Sequence, residues 1–226
     1  MPQTIHTIGT GVGDAAVRSE LYRLLAGSFR FPTAEFFDAV SSRAYYEMLC
    51  AMIDPLRSAP CSALLHALGP QLGGPGAGFD EFCAEYIRLF DVGSGRGKPP
   101  CTLYGGEYFA RPRLDVMEEL IRFYGFFDLA PSDRDRELPD HLSVELEFLH
   151  YLAFREGRAL EVGADPTSFR RAQADFIERH PAQWLPAMLA RLEAQAPLPF
   201  FAGLVALTVE ILRADLRYLR SMLAAA

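Results

Sequence analysis

Residues 141–160 read HLSVELEFLHYLAFREGRAL. Their apolar side chains fall on most faces of a 3.6-residue helix instead of one stripe, the pattern of a helix enclosed by others. Asp140 precedes it at the position where an N-cap oxygen takes up the unpaired N–H groups of a first turn. A helix buried on most sides needs helical neighbours, and the flanking sequence supplies them.

Upstream, 14–29 carries Val17, Leu21, Leu24 and Leu25 as one apolar stripe, with Asp14 as its expected cap. TAEFFDAVSSRAYYEML, from Thr33, reads as a second helical region, and a weaker third follows Pro55 with Leu64, Leu65 and Leu68. QLGGPGAG breaks the pattern as a loop. Helical spacing resumes over 80–90 with Phe82, Tyr86, Leu89 and Phe90, and again with Leu114, Met117, Ile121 and Tyr124. Downstream, Asp165 and Pro166 open a helix with proline at its first position, His180-Pro181 interrupts, and a last helix is expected over 200–223. Strand alternation is almost absent. The expected fold is all-α, one compact helical domain of nine to ten helices. Its helical N-terminal part covers 12–90, a Gly/Pro connector 91–104 and a C-terminal helical part 105–226. The polar stretch 128–139 reads as a hinge loop.

Half of the 226 residues are apolar and the net charge is −7. That balance argues against nucleic acid as a partner, since such binding rests on Lys and Arg meeting phosphates. Lys98 is the single lysine among 22 basic residues, a skew without functional weight. The N-terminus has neither the basic start nor the apolar run of a secretory signal, and no run reaches membrane-spanning length, so no stable membrane insertion is expected. Cys50, Cys61, Cys83 and Cys101 form no C-x-x-C pair, which points to a reducing, cytoplasmic setting without a zinc site.

The connector DVGSGRGKPPCTLY superficially resembles a phosphate cradle. A Walker loop requires glycine five residues before Gly97, where Val92 stands, and a hydroxyl after Lys98, where Pro99 stands. Gly93, Gly95 and Gly97 supply flexibility instead, and Pro99 and Pro100 fix where order resumes. Glu147 and His150 have the Glu-x-x-His spacing of di-metal bundles, but the second such motif is missing, so no metal is expected. No G-x-S-x-G elbow is present. Asp140 beside His141 reads either as an acid–base pair or as a cap next to a helix-start histidine. Glu137, Asp140, His141 and Glu145 cluster at this helix start, the last two on one helical face. Such a cluster suits a binding surface as well as an active site.

EYIRLF from Glu85, the Gly/Pro loop ending in Pro-Pro, and ELPDHLSVELEFLHYL from Glu137 together resemble the TorD/DmsD/NarJ-like chaperones, cytoplasmic maturation factors of molybdenum-containing redox enzymes. The resemblance is strongest over 80–155. Two departures concern the subgroup: Cys101-Thr102 follow the double proline where many members have serine, and Trp184 is the sole tryptophan.

The resemblance implies a non-enzymatic chaperone with no cofactor of its own, the molybdopterin belonging to the client. Its partners would be the precursor of the client's catalytic subunit and that subunit's twin-arginine signal peptide. Glu137, Asp140 and Glu145 would meet the basic part of the peptide, with Pro139 and His141 shaping their site. Tyr86, Leu89 and Phe90 would line an apolar groove. A monomer or a domain-swapped dimer is expected. The alternatives are a nucleotide-responsive or small-molecule enzyme using Asp140 and His141, and a structural subunit retained in the final complex.

Overall fold

The computed structural model describes residues 8–56, 58–91, 97–130 and 137–225, with side chains from 13 onward. Gly93 and Gly95 of the connector lie outside the described residues. The fold is all-α. Among the described residues, ten helices of eight residues or more, together with one single turn, run in the order α1 (Ile8–Ser28), α2 (Ala34–Ser41), α3 (Ala44–Ile53), α4 (Ala59–Ala67), the turn α5 (Gly69–Leu72), α6 (Phe79–Phe90), α7 (Arg113–Phe126), α8 (Leu142–Glu161), α9 (Thr167–Arg179), α10 (Pro181–Glu193) and α11 (Pro199–Ala224). Among the described residues the only β-type pairing is an isolated antiparallel bridge between Tyr104 and His141.

Helix α8, apolar on most faces, is central. It lies along α1 and against α9, while α11 covers α4, α5, α9 and α10. Leu142, Leu146, Leu149 and Leu152 are fully buried, and only a strip through Phe154 and Arg155 faces water. One continuous core joins Leu21 and Leu25 of α1 to Phe82 of α6, Trp184 of α10 and Leu219 of α11. At about 25 cal/mol per Å² of apolar surface removed from water, this burial is the main force holding the helices together.

Local chemistry corrects several expected boundaries. The single region expected from Thr33 is two helices. Thr33 caps α2, its hydroxyl accepting from the Phe36 N–H at 3.2 Å, but Arg43 adopts a left-handed φ of 70° and restarts the chain as α3. α1 begins at Ile8, before Asp14. Pro166 is the residue before α9, not its first, and Asp165 accepts the Thr167 N–H at 2.9 Å. The cap of α8 is His141, not Asp140: its Nδ1 accepts the Ser143 N–H at 3.2 Å.

A charged cluster sits inside the helical core. Arg18 of α1 donates to both carboxylate oxygens of Asp215 on α11, at 2.5 and 3.0 Å, to Glu156 of α8 at 2.8 Å, and to Gln173 of α9. Arg170 donates to the other Glu156 oxygen at 2.7 Å, and Tyr22 to Asp215 at 2.6 Å. Two cations face two anions, so four buried charges are mutually compensated, and the cluster ties four helices together.

Candidate functional site

The site expected from the sequence is built by two segments that meet side by side. The incoming chain after Pro100 runs along the start of α8. The Leu142 N–H donates to the Leu103 carbonyl and the Gly105 N–H to the Asp140 carbonyl, both at 2.8 Å. The Cys101 N–H reaches back to the Leu89 carbonyl at 3.0 Å, so the end of α6 joins the same stitch.

Asp140 is the centre of this stitch. Its buried carboxylate receives Arg113 Nε at 2.8 Å, Arg113 Nη2 at 3.0 Å and the Gly106 N–H at 3.1 Å. A bidentate guanidinium and a backbone donor satisfy the buried charge. Arg113 also lies over the Tyr104 ring at 4.7 Å, and its pKa is held up chiefly by the hydrogen bond to Asp140. The double glycine is a steric requirement: a Cβ on Gly106 would stand 2.4 Å from Arg113 Cγ and 2.8 Å from Asp140 Oδ2, and one on Gly105 would stand 2.7 Å from Trp184 Nε1. A short 3₁₀ turn over Gly105–Glu107 follows, and Glu107 takes Lys98 Nζ at 2.6 Å.

The Asp140 and His141 side chains turn to different partners. Asp140 is engaged by Arg113, while His141 Nδ1 lies 2.8 Å from Ser143 Oγ. Burial lowers the His141 pKa, with Glu137 and Asp140 opposing, so the imidazole caps α8 in its neutral form.

Glu145, unlike Glu137, lies in the interior. It is fully buried, its Oε2 accepts the Trp184 indole N–H at 3.1 Å, and its Oε1 has no hydrogen-bond partner among the described residues. Desolvation raises its pKa well above the usual carboxylate range, so the group is a neutral acid inside the protein.

Glu137 is the carboxylate of this set that faces solvent, with 42% of its side chain exposed. Tyr104 Oη donates to it at 2.8 Å, and burial followed by this hydrogen bond raises the Tyr104 pKa to about 12. His141 Nε2 is 3.9 Å away. Pro139 accepts the Tyr124 hydroxyl at 2.8 Å through its carbonyl, which fixes the approach to α8.

Tyr86, Leu89 and Phe90 are buried. An open groove walled by all three is therefore corrected to a packed floor. The Tyr86 and Phe90 rings meet edge-on at 5.2 Å, Phe90 meets Phe201 at 5.6 Å, and the Tyr86 hydroxyl donates to the Phe29 carbonyl at 2.9 Å. The exposed apolar element above this floor is Phe31, edge-on to Tyr86 at 5.6 Å with half of its surface in water. Burial and then Glu137 raise the Tyr86 pKa. The chain thus brings Tyr86 of α6 and Glu137 before α8 into one electrostatic neighbourhood, together with Tyr104. Leu138, beside Glu137, is also exposed.

Arg113, Gly106, Tyr104 and Phe31 were not singled out in the sequence. The Gly-Gly pair between two tyrosines was the available signal, because adjacent glycines mark close backbone approach. Glu147 and His150 do not converge on one point: Glu147 pairs with Arg30 at 2.5 Å, and His150 Nδ1 lies 2.9 Å from the Ser19 carbonyl. Among the described residues, no helix is long and apolar enough to cross a membrane.

A family model described as nitrate reductase delta subunit matches residues 54–190. The chain is 48% identical over 114 residues to the selenate reductase assembly chaperone protein of Thauera selenatis, covering 49% of this chain and 57% of that one. It is 44% identical over 121 residues to the chlorate reductase assembly chaperone protein of Ideonella dechloratans, covering 53% and 62%. It is 35% identical over 211 residues to the dimethyl sulfide dehydrogenase assembly chaperone protein of Rhodovulum sulfidophilum, covering 88% and 80%. The matched stretch spans little more than half the length of the first two relatives.

Proposed function

The chain belongs to the nitrate reductase delta subunit family, and from that premise we propose that it is an assembly chaperone for the catalytic subunit of a molybdenum-containing oxidoreductase. In this reading it acts in the cytoplasm without catalysis. It holds the apo-subunit, its twin-arginine signal peptide, or both, until the client's cofactor is in place. The names of its relatives, assembly chaperones of selenate and chlorate reductases and of dimethyl sulfide dehydrogenase, support the client class.

The observation that carries the reading is that Tyr86 has exposed Phe31 edge-on to its ring at 5.6 Å and feels the charge of exposed Glu137. A signal peptide presents arginines followed by an apolar segment. A solvent-facing carboxylate beside an aromatic ring over a packed apolar floor matches both halves. Tyr104 holds Glu137 in place beside His141, Tyr86, Leu89 and Phe90 form the floor, and Pro139, Asp140 and Glu145 shape the scaffold beneath.

Calorimetric titration of the full chain with twin-arginine signal peptides of molybdenum-containing reductases tests this. Micromolar binding, weakened roughly tenfold by Glu137→Lys or Phe31→Ser, is expected. Capture of a full apo-subunit without peptide binding would move the contact to the mature client. Binding of neither would overturn the reading.

A further inference from the structure

A groove of about 750 Å³ lies between α7 and α9 and shares no residue with the Glu137 site. Its character is opposite to that of the chain as a whole. Four arginines, Arg111, Arg122, Arg171 and Arg179, line it against two acids, Glu119 and Asp175, in a protein of net charge −7. Glu119 is already shared: Arg111 approaches it at 2.5 Å, Arg179 pairs with its other oxygen, and buried His180 lies 3.7 Å away. Arg122 and Arg171 are exposed and make no ion pair or hydrogen bond among the described residues. The groove therefore keeps two guanidinium groups outside any ion pair among the described residues, although Arg171 is near enough to Asp165 to lower its pKa.

The same groove is lined by aromatic rings. Phe123 stands under the Arg179 guanidinium at 5.4 Å, Phe127 is half-buried, and Phe126 is 80% exposed at the end of α7. A phenyl ring left almost wholly in water beside unpaired arginines is unfavourable for an isolated surface and favourable for an interface, where Arg and aromatic residues supply most hot spots. Single phosphate ions would neutralise the charge and leave Phe126 in water. A purely apolar segment would bury the ring and strand the arginines.

We propose that this groove docks an acidic segment of a partner protein, an extended or helical stretch that sets carboxylates on Arg122 and Arg171 and an apolar side chain on Phe126. Charge complementarity selects that occupant over a basic or neutral segment. The proposal does not rest on the signal-peptide reading. It adds a second surface, of opposite sign, to the same molecule.

The test uses the full chain and a short synthetic peptide of glutamates interspersed with leucine and phenylalanine, labelled for fluorescence anisotropy. Three controls accompany it: the same peptide with lysines for glutamates, a glutamate-only peptide, and inorganic phosphate. Binding of the acidic-apolar peptide is expected to exceed that of every control by roughly tenfold and to weaken as salt rises. Arg122→Glu combined with Arg171→Glu should abolish it, and Phe126→Ser should weaken it, with helicity and twin-arginine peptide binding retained. All of these side chains are exposed, so the variants should fold. Equal binding of the lysine peptide, or indifference to the double charge reversal, would overturn the proposal. So would a dimer in sedimentation that the double reversal dissociates, because a second copy would then be the occupant.

Discussion

The Glu145 carboxyl and the Trp184 indole, 39 residues apart, meet at 3.1 Å in a place solvent does not reach and where no described residue offers a counter-charge. This contact joins α8 to α10 next to the Gly105 backbone, so a neutral acid stands where the entering chain, the central helix and the lone tryptophan converge.

Its pH consequence has a definite sign. The folded-state pKa of Glu145 is raised, so above about pH 4.5 the folded protein holds a proton that the unfolded chain has released. Stability from this group is complete below that pH and declines as pH rises, by ~1.4 kcal/mol per unit while one proton separates the states. The buried histidines slope the other way up to about pH 7.5, and equally so in Glu145→Gln, which keeps a carbonyl oxygen for the indole. The stability of the native protein relative to Glu145→Gln, from urea midpoints followed by Trp184 fluorescence, should therefore fall as pH rises above about 5. A difference independent of pH would remove Glu145 as the cause.

His180 works in the other direction. It is wholly buried, both ring nitrogens lack hydrogen-bond partners among the described residues, and its ring packs against Phe123 and Phe176. Desolvation, opposed by Glu119, lowers its pKa to about 4. Between about pH 4 and 6.5 the unfolded chain therefore binds the extra proton, and stability drops as pH falls through that window. The drop from pH 6.5 to 5 should be about 1.5 kcal/mol from this group. His180→Phe is expected to remove that share, leaving a shallower acid limb to which His141 still contributes. An unchanged acid limb would count against it.

The Asp140–Arg113 pair should behave as a unit. Arg113→Ala strands a carboxylate that water does not reach, and a loss of roughly 3 kcal/mol is expected. Asp140→Ala frees a guanidinium that is partly exposed and can rehydrate, so its cost should be smaller. A double-mutant cycle by urea denaturation should return a coupling above ~1 kcal/mol. Additive losses would show that the contact is incidental. Gly106→Ala should destabilise by a comparable amount, because its Cβ must displace both partners.

The sequence made the helical class legible because hydrophobic periodicity is a local signal, and α8 declared its central position by being apolar on most faces. The two halves of the candidate site, around Tyr86 and around Glu137, were visible as separate stretches. Their joining through Tyr104 was not, since it depends on a backbone stitch between distant segments. Which carboxylate faces water was equally hidden: Glu137, Asp140 and Glu145 look alike in sequence, yet one is solvated, one is paired with Arg113 and one is neutral. Arg43 split a region that reads as continuous because a single left-handed residue leaves no periodic trace. Arg18 did leave one. It stands three and seven residues before Leu21 and Leu25, on the apolar face of α1, where a charge requires a buried partner.

That buried cluster gives the sharpest test of what holds the helices together. Arg18→Met removes one cation and leaves Asp215 and half of Glu156 uncompensated, and a loss of 3–5 kcal/mol is expected. Arg18→Met with Asp215→Leu removes one charge of each sign, and Glu156 keeps Arg170 as its partner. The double variant should recover most of the loss, because Tyr22 and Gln173 each forfeit one hydrogen bond while the remaining charges balance. Urea denaturation of the three proteins decides the matter. A double variant as weak as the single one would mean that the geometry of the cluster, and not its charge balance, is what α1, α8, α9 and α11 depend on.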